Sequence, residues 1–214
     1  MLAATALAAA VCSLPGCAAG TLIGGMAESY RRTSTRTVPS EYDGLRDRSF
    51  AVLVSADRVI QSTRPQAVAR LTTLITARLI EHSGASGVVP AAAVLEFQFN
   101  RPQWVAMSYD EIAEHFGVDR LVVIDLYEFR LNDPGNAYLW SGVGAGDVGV
   151  VEADGPLGDD FAYSKAVAVR FPDQDGYGPT DYTADQIAAV LEKRFVDRVT
   201  WLFYDHEEPY YPDY

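Results

Sequence analysis

Cysteine is scarce in this sequence, with only Cys12 and Cys17 among 214 residues. Both lie at the amino terminus, one inside an apolar run and one just after it. From residue 18 onward the chain has no thiol. That excludes a disulfide framework, a cysteine-ligated metal site and a cysteine nucleophile in the rest of the protein.

Basic residues are also in short supply, and the formal net charge is -12. Nucleic acid is therefore not an expected partner, because no basic surface large enough to displace phosphate counterions is available. The charge is uneven: residues 1–106 hold ten arginines against seven acids, and residues 107–214 hold seven basic residues against 22 acids. This acidic half is interpreted as a solvated surface, with attraction of cations or a basic partner as the alternative.

The chain has no apolar run long enough to cross a bilayer, which takes about 20 residues. Residues 1–14 are apolar, alanine-rich and uncharged, and they end in Leu14-Pro15-Gly16-Cys17. This ending resembles the lipobox of bacterial lipoproteins. The resemblance implies that residues 1–16 are a cleaved signal peptide and that Cys17 carries the lipid. No Lys or Arg precedes the apolar run, so we expect the true start codon upstream of Met1. The alternative is a buried apolar helix with an incidental cysteine.

Composition divides the remaining chain into three parts. Residues 17–48 begin with the cysteine that, by the lipobox resemblance, is acylated. From residue 18 onward they carry Gly, Ser, Thr and Pro without a sustained apolar period, which predicts a flexible tether. Residues 49–204 contain periodic apolar segments and are predicted to form a single α/β domain. Residues 205–214 combine acids, prolines and tyrosines and are predicted to be a tail that does not continue the last helix.

The centre of the predicted domain is the stretch 108–131. Ser108 and Glu111 have capping-box spacing, and Gly117 suits the left-handed position that ends a helix. Residues 121–124 are uninterrupted apolar residues, as expected of a strand covered on both faces. We therefore place this strand in the middle of the sheet.

The other elements follow from similar signals. Residues 50–54 form an interior strand, and Thr63 with Gln66 is a second capping-box candidate, before a long helix. Residues 132–136 are turn residues that should fold residues 138–140 back as an antiparallel strand, which continues to residue 151. Residues 161–171 alternate as a third strand of this meander, and Thr183 with Gln186 caps a second long helix. The prediction is an α/β (α+β) fold: a mixed sheet of about five strands with an antiparallel meander and long helices packed on it.

No catalytic or metal-binding arrangement is recognisable. The three histidines lie on separate elements, and only residues 205–208 cluster as candidate zinc ligands. Asp125 and Glu128 have an odd separation, which puts them on opposite faces of a regular strand. The chain has no Gly-x-Ser-x-Gly, no P-loop and no Gly-x-Gly-x-x-Gly between a strand and a helix. We expect no cofactor, no metal and no enzyme activity.

Aromatic residues are the remaining candidates for a site. Tyr210 and Tyr211 in the acidic tail are predicted to dock on a partner as an extended peptide, with a disordered tail as the alternative. Tyr138 and Trp140 are predicted to offer an edge for strand addition, with core packing as the alternative for Trp140.

The order of elements resembles that of a group of periplasmic lipoproteins: the curli secretion-channel lipoprotein, the activators of penicillin-binding proteins, and lipoproteins auxiliary to ABC-type transporters. They share a domain like the amino-terminal domain of the Tol-system translocation protein. The likeness covers residues 50–204 and is carried by residues 50–54, Glu111-Ile112-Ala113, Gly117-Val118-Asp119-Arg120-Leu121-Val122-Val123 and Leu139-Trp140-Ser141-Gly142.

Anchor and resemblance together predict a non-catalytic adaptor or accessory factor of an envelope complex. It would face the periplasm, bind the membrane through its lipid, and bind an envelope protein of unknown identity. Ala18 lacks the Asp that retains many lipoproteins in the inner membrane, so the resemblance implies the outer membrane. Two alternatives stay open: an envelope hydrolase whose site forms near Asp125 or Asp147, and a carrier of a lipid or small molecule in an apolar cavity.

Overall fold

The computed structural model describes residues 35–155 and 159–209. In chain order the elements are β1 (Thr35–Val38), β2 (Ser49–Ala56), α1 (Arg58–Thr63), α2 (Ala67–His82), β3 (Gly87–Val88), α3 (Ala91–Asn100), a 3-10 helix (Pro102–Ala106), α4 (Tyr109–Phe116), β4 (Arg120–Arg130), β5 (Gly142–Glu152), β6 (Tyr163–Phe171), α5 (Ala184–Thr200) and β7 (His206–Pro209).

The main sheet has five strands in the order β3-β2-β4-β5-β6. Strand β2 runs parallel to β3 and β4, and β4, β5 and β6 form an antiparallel meander. The predicted α+β fold with a mixed five-stranded sheet is therefore confirmed, as is the central place of the strand that begins at Arg120.

Apolar side chains of the helices cover both faces of β2 and β4. On one face, α2 and α5 pack through residues such as Leu71, Ile75, Leu191 and Phe195. On the other face, α3 and α4 cover Leu53, Leu121 and Val123. Coverage on both sides explains why the central strand is uniformly apolar between residues 121 and 124.

Local signals located several helix ends correctly. Ser108 with Glu111 and Thr183 with Gln186 both form complete capping boxes. Gly117 ends α4 with φ of 65°, the left-handed conformation that glycine adopts without steric cost. These predictions are confirmed because each depends on contacts within one turn of helix.

The predicted capping box at Thr63 is wrong. Asp57 caps a short extra helix, α1, by accepting a hydrogen bond from the Ile60 amide at 2.8 Å. Thr63 is the last residue of α1, and α2 begins at Ala67 without a side-chain cap. Pro65 explains the break, since the residue before a proline disfavours the helical conformation.

The predicted strand at residues 138–140 is also wrong, because β5 begins only at Gly142. Residues 138–140 belong to a loop between β4 and β5. The third strand of the meander begins at Tyr163, two residues later than predicted.

Part of the predicted tether is packed on the domain. Leu45 is fully buried, and Tyr42 packs against the same core. The amides of Glu41 and Tyr42 both donate to the carbonyl of Leu202, at 3.0 and 2.9 Å. Residues 39–48 therefore form an ordered entry to β2 rather than a free linker.

Strands β1 and β7 pair in a second, two-stranded sheet. Within it, the Arg36 guanidinium lies 2.7 Å from the Glu208 carboxylate. The predicted tail thus begins with a strand, in agreement with the expectation that it does not extend α5. Residues 210–214 lie outside the described part of the chain.

Candidate partner-binding surface

Three of the predicted site residues, Cys17, Tyr210 and Tyr211, lie outside the described residues. Their roles in lipid attachment and docking stay predictions. In residues 35–155 and 159–209 no helix combines the length and apolarity needed for a membrane span.

Tyr138 is presented to solvent by the loop that joins β4 to β5, residues 132–141, which we call the Tyr138 loop. Its side chain is 84% exposed, and the neighbouring Leu139 is also exposed. The Asn136 carboxamide oxygen accepts hydrogen bonds from the amides of Tyr138 and Leu139, at 2.9 and 3.3 Å. The Asn132 carboxamide donates to the Leu139 carbonyl at 2.8 Å. Two asparagines thus hold the backbone on both sides of the exposed aromatic ring.

Trp140 joins this loop to the core. Its amide donates to the Tyr177 carbonyl, and its indole N–H donates to the Tyr182 carbonyl, both at 2.8 Å. The ring is buried in the main core. The two aromatic residues that were predicted together as one edge therefore lie in different environments. Trp140 is buried and anchors the loop, and Tyr138 is exposed to solvent.

Arg130 closes the base of the Tyr138 loop. Its guanidinium donates to the carboxylates of Glu128 and Asp133, both at 2.6 Å. It also donates to the carbonyls of Asn132 and Ser141, at 3.0 and 2.9 Å, and so joins the two ends of the loop. Partial burial alone would lower the pKa of Arg130, but the hydrogen bonds to the two carboxylates outweigh it and raise that pKa above its usual value.

A held loop with an exposed tyrosine suits binding better than chemistry. Tyrosine has a large amphipathic surface and few rotatable bonds, which is why it is enriched among residues that dominate binding energy. A loop already held in one conformation loses little conformational entropy when a partner binds. The side chains of the Tyr138 loop include no pair arranged for proton transfer or nucleophilic attack.

Two carboxylates that the sequence analysis named separately lie together on the sheet, and their pairing could not be read from the sequence. Asp125 of β4 lies directly opposite Asp147 of β5, and both side chains are exposed. The Ser55 hydroxyl donates to Asp125 at 2.9 Å. A β-bulge at Tyr127 shifts the register, so that Glu128 pairs with the residue two before Asp147. The expectation that Asp125 and Glu128 lie on opposite faces is therefore wrong.

No metal centre emerges from these acids. Among the residues that the structure describes, no group of three or more His, Cys, Asp or Glu side chains could hold a metal ion. Glu128 is engaged by Arg130, and Asp125 accepts from Ser55. Asp125 and Glu128 are thus held by a hydrogen bond and an ion pair, respectively.

No protein-family model matches this chain, and no curated protein matches it by sequence. Solved structures with a similar chain trace include lipoprotein GNA1162 from Neisseria meningitidis, 16% identical over 68% of this chain and 94% of that one, with a TM-score of 0.45. The PelC dodecamer from Paraburkholderia phytofirmans is 11% identical over 80% and 97%, with a TM-score of 0.44. The hypothetical protein CT253 from Chlamydia trachomatis is 14% identical over 71% and 97%, with a TM-score of 0.39.

Proposed function

We propose that this chain is a lipid-anchored protein of the bacterial envelope, acylated at Cys17 and exposed to the periplasm. The lipobox-like sequence before Cys17 supports the anchor, and Ala18 after it favours the outer membrane. The likeness to the curli-channel, penicillin-binding-protein-activator and transport-auxiliary lipoproteins stays a prediction that agrees with this placement.

The proposed role is that of a non-catalytic adaptor, and the Tyr138 loop is the observation that carries it. The loop combines an 84% exposed tyrosine with a backbone held by Asn132, Asn136 and Arg130. We propose that Tyr138 contacts another envelope protein, with Leu139 beside it and Trp140 keeping the loop in place. Tyr210 and Tyr211 of the tail are proposed as a second docking segment.

The anchor is tested by metabolic labelling with an alkyne analogue of palmitate, followed by mass spectrometry of the amino-terminal peptide. We expect label on the wild-type chain and on Cys12→Ser, and none on Cys17→Ser. Label that persists in Cys17→Ser, or a mature chain that retains residues 1–16, would contradict the anchor.

The adaptor role is tested by placing a photo-crosslinking amino acid, p-benzoylphenylalanine, at position 138. Ile80, an exposed residue on α2, is the matched control position. Irradiation of intact cells should give a discrete adduct with one envelope protein from position 138 and not from position 80. An unlabelled Tyr138→Ala chain should fail to compete for that adduct. Equal adducts at both positions would refute a role for the Tyr138 loop.

The same cells distinguish an adaptor from a hydrolase. The double variant Asp125→Asn with Asp147→Asn should leave the adduct from position 138 unchanged, and it should complement cells that lack this protein as well as the wild-type chain does. Failure to complement, with an intact adduct, would favour an enzyme that uses these two carboxylates.

A further inference from the structure

A pocket of about 590 Å³ lies between α5 and the segment that joins α1 to α2. Residues 63–67 and Arg70 line one side of it, and four residues in the amino-terminal half of α5 line the other. Three of the lining residues are alanines, whose short side chains leave the space between the two sides open. The volume is in the range of small-molecule sites, about 300–1,000 Å³. The pocket shares no residue with the Tyr138 loop.

An ion pair fixes the two sides of the pocket to each other. The Arg70 guanidinium on α2 donates to one carboxylate oxygen of Glu192 on α5, through Nε at 2.9 Å and Nη2 at 2.6 Å. Farther along the same two helices, Arg78 pairs with Asp197 at 3.1 Å. These ion pairs hold the walls in place, and the opposite charges of Arg70 and Glu192 neutralise each other within the chain.

The other two charged residues of the pocket, Arg64 and Asp185, are not paired. Arg64 lies between α1 and α2 and is partly buried, and Asp185 is exposed in the first turn of α5. Within residues 35–155 and 159–209, neither side chain forms an ion pair or a hydrogen bond. Opposite charges that line one pocket without contacting each other leave a gap, and a ligand that carries both charges can fill it with two charge-assisted hydrogen bonds.

The local structure keeps both charges at the pocket. The Arg64 amide donates to the Ile60 carbonyl at 2.7 Å, and the Arg64 carbonyl accepts from the Ala67 amide at 2.9 Å. The backbone at Arg64 is therefore held from both sides, and Pro65 restricts its conformation further. Asp185 is stable without a basic partner, because a carboxylate in the first turn of a helix interacts favourably with the helix dipole.

We propose that this pocket binds a small zwitterion, a molecule that carries a carboxylate and an ammonium on a short aliphatic chain. Arg64 donates two N–H groups to the carboxylate, and Asp185 accepts from the ammonium. The aliphatic chain lies along the alanines of α5. Because the Arg70–Glu192 pair is neutral, one positive and one negative charge remain in the pocket. A zwitterion matches both, whereas a simple anion or cation leaves one unmatched and is repelled by the like charge.

The test is an NMR titration of the isotope-labelled full chain carrying Cys17→Ser. The ligands are β-alanine, γ-aminobutyrate and ε-aminocaproate, which place the two charges at increasing distances. Butyrate and butylamine are the controls, since each carries one of the two charges. We expect saturable shifts of the Ala67 and Ala189 amides with at least one zwitterion, and no shift with either control at the same concentration. The chain length that binds most tightly reports the distance between Arg64 and Asp185.

Variants assign the binding to these residues. Arg64→Gln and Asp185→Asn should each raise the Kd about tenfold, because each removes one charge-assisted hydrogen bond. The double variant Arg64→Glu with Asp185→Lys exchanges the two charges and should bind the zwitterion, in the opposite direction, more tightly than either single variant. Ala189→Trp fills the pocket and should abolish binding, whereas Ala77→Trp, at an exposed alanine of α2 outside the pocket, should leave the Kd unchanged. Circular dichroism confirms that each variant is folded.

Several outcomes would overturn the proposal. One is the absence of a shift with all three zwitterions, and another is an equal response to butyrate or to butylamine, which would make the pocket a site for a single charge. Shifts that persist in both Arg64→Gln and Asp185→Asn would place the binding elsewhere. Binding of phosphatidylethanolamine vesicles without a response to the free zwitterions would assign the pocket to a lipid headgroup instead. Because the test depends neither on an acylated cysteine nor on Tyr138, failure of the proposed anchor or adaptor role leaves it unaffected.

Discussion

Replacing Arg120 with methionine removes a charge that joins three segments of the domain. Arg120 is buried at the start of β4 and donates to the carbonyls of Gly44 and Asp119, at 3.2 and 2.8 Å. Its guanidinium also pairs with the carboxylates of Glu152 and Asp154. The side chain therefore fixes the entry segment, residues 39–48, to the central strands. Methionine preserves much of the apolar stem and removes only the charge and its hydrogen bonds.

The expected cost follows from what the substitution leaves behind. Removing one partner of a fully buried ion pair costs about 3–5 kcal/mol. The Glu152 and Asp154 side chains are 29% and 44% exposed, so water screens the two carboxylates that remain. The carbonyl of Gly44 loses a donor as well, at about 1 kcal/mol. We therefore expect Arg120→Met to lower the free energy of unfolding by about 2–3 kcal/mol, a fall in Tm of roughly 6–9 °C.

Urea denaturation followed by circular dichroism measures this loss. Arg170→Met on β6 is the matched control, because the Arg170 side chain is exposed and the same substitution there should change the free energy of unfolding by less than about 0.5 kcal/mol. Hydrogen exchange should also show faster exchange of the Glu41 and Tyr42 amides in Arg120→Met. A loss below about 1 kcal/mol, or one no larger than that of Arg170→Met, would refute the reasoning.

Three further predictions concern stability. Gly146→Ala should lower the free energy of unfolding by about 1–3 kcal/mol, because its Cβ would lie 2.8 Å from a backbone oxygen of β4. Gly144→Ala, whose Cβ would have its closest contact at 3.4 Å, should lower it little. The urea midpoints of the two variants compare these effects, and equal losses of stability would contradict the steric argument. Thr183→Ala removes the hydroxyl that accepts from the Gln186 amide and should cost about 1 kcal/mol in the same assay, and an unchanged midpoint would show that the cap adds nothing. The hydrogen bond from Arg120 lowers the pKa of Asp154 below its ordinary value of 3.8, so the stabilisation that this pair contributes is present above that pH and is lost as pH falls below it. Acid titration of the unfolding free energy should therefore show a smaller loss below about pH 4 in Arg120→Met than in the wild type.

Short-range signals in the sequence predicted the parts of this protein that depend on neighbouring residues. The Ser108 and Thr183 capping boxes and the Gly117 helix end involve residues at most three or four positions apart, so their geometry follows from the local chain. The apolar run at residues 121–124 predicted a strand covered on both faces, and β4 is such a strand. The lipobox-like motif at Cys17 is local in the same sense.

Signals that compete locally were harder to interpret. Thr63 and Gln66 have the spacing of a capping box, but Asp57 caps an earlier helix, and Pro65 separates the two. Residues 138–140 follow a run of turn residues and were expected to return as a strand, yet hydrogen bonds to Asn136 and to the carbonyls of Tyr177 and Tyr182 hold them in a loop. In both places contacts outside the motif decided the conformation.

The sequence by itself determined the class of fold, the central strand, the helix caps and the candidate lipid attachment site, because periodicity and capping depend on residues close along the chain. Only the tertiary structure decided that Asp125 faces Asp147 and that Tyr138 is exposed while Trp140 is buried. Each of these depends on strand register or on which helices meet, and both are set by the packing of segments far apart in the chain. A β-bulge at one residue, Tyr127, changes which side chains share a face of the sheet. No pattern in the sequence of β4 predicts this bulge.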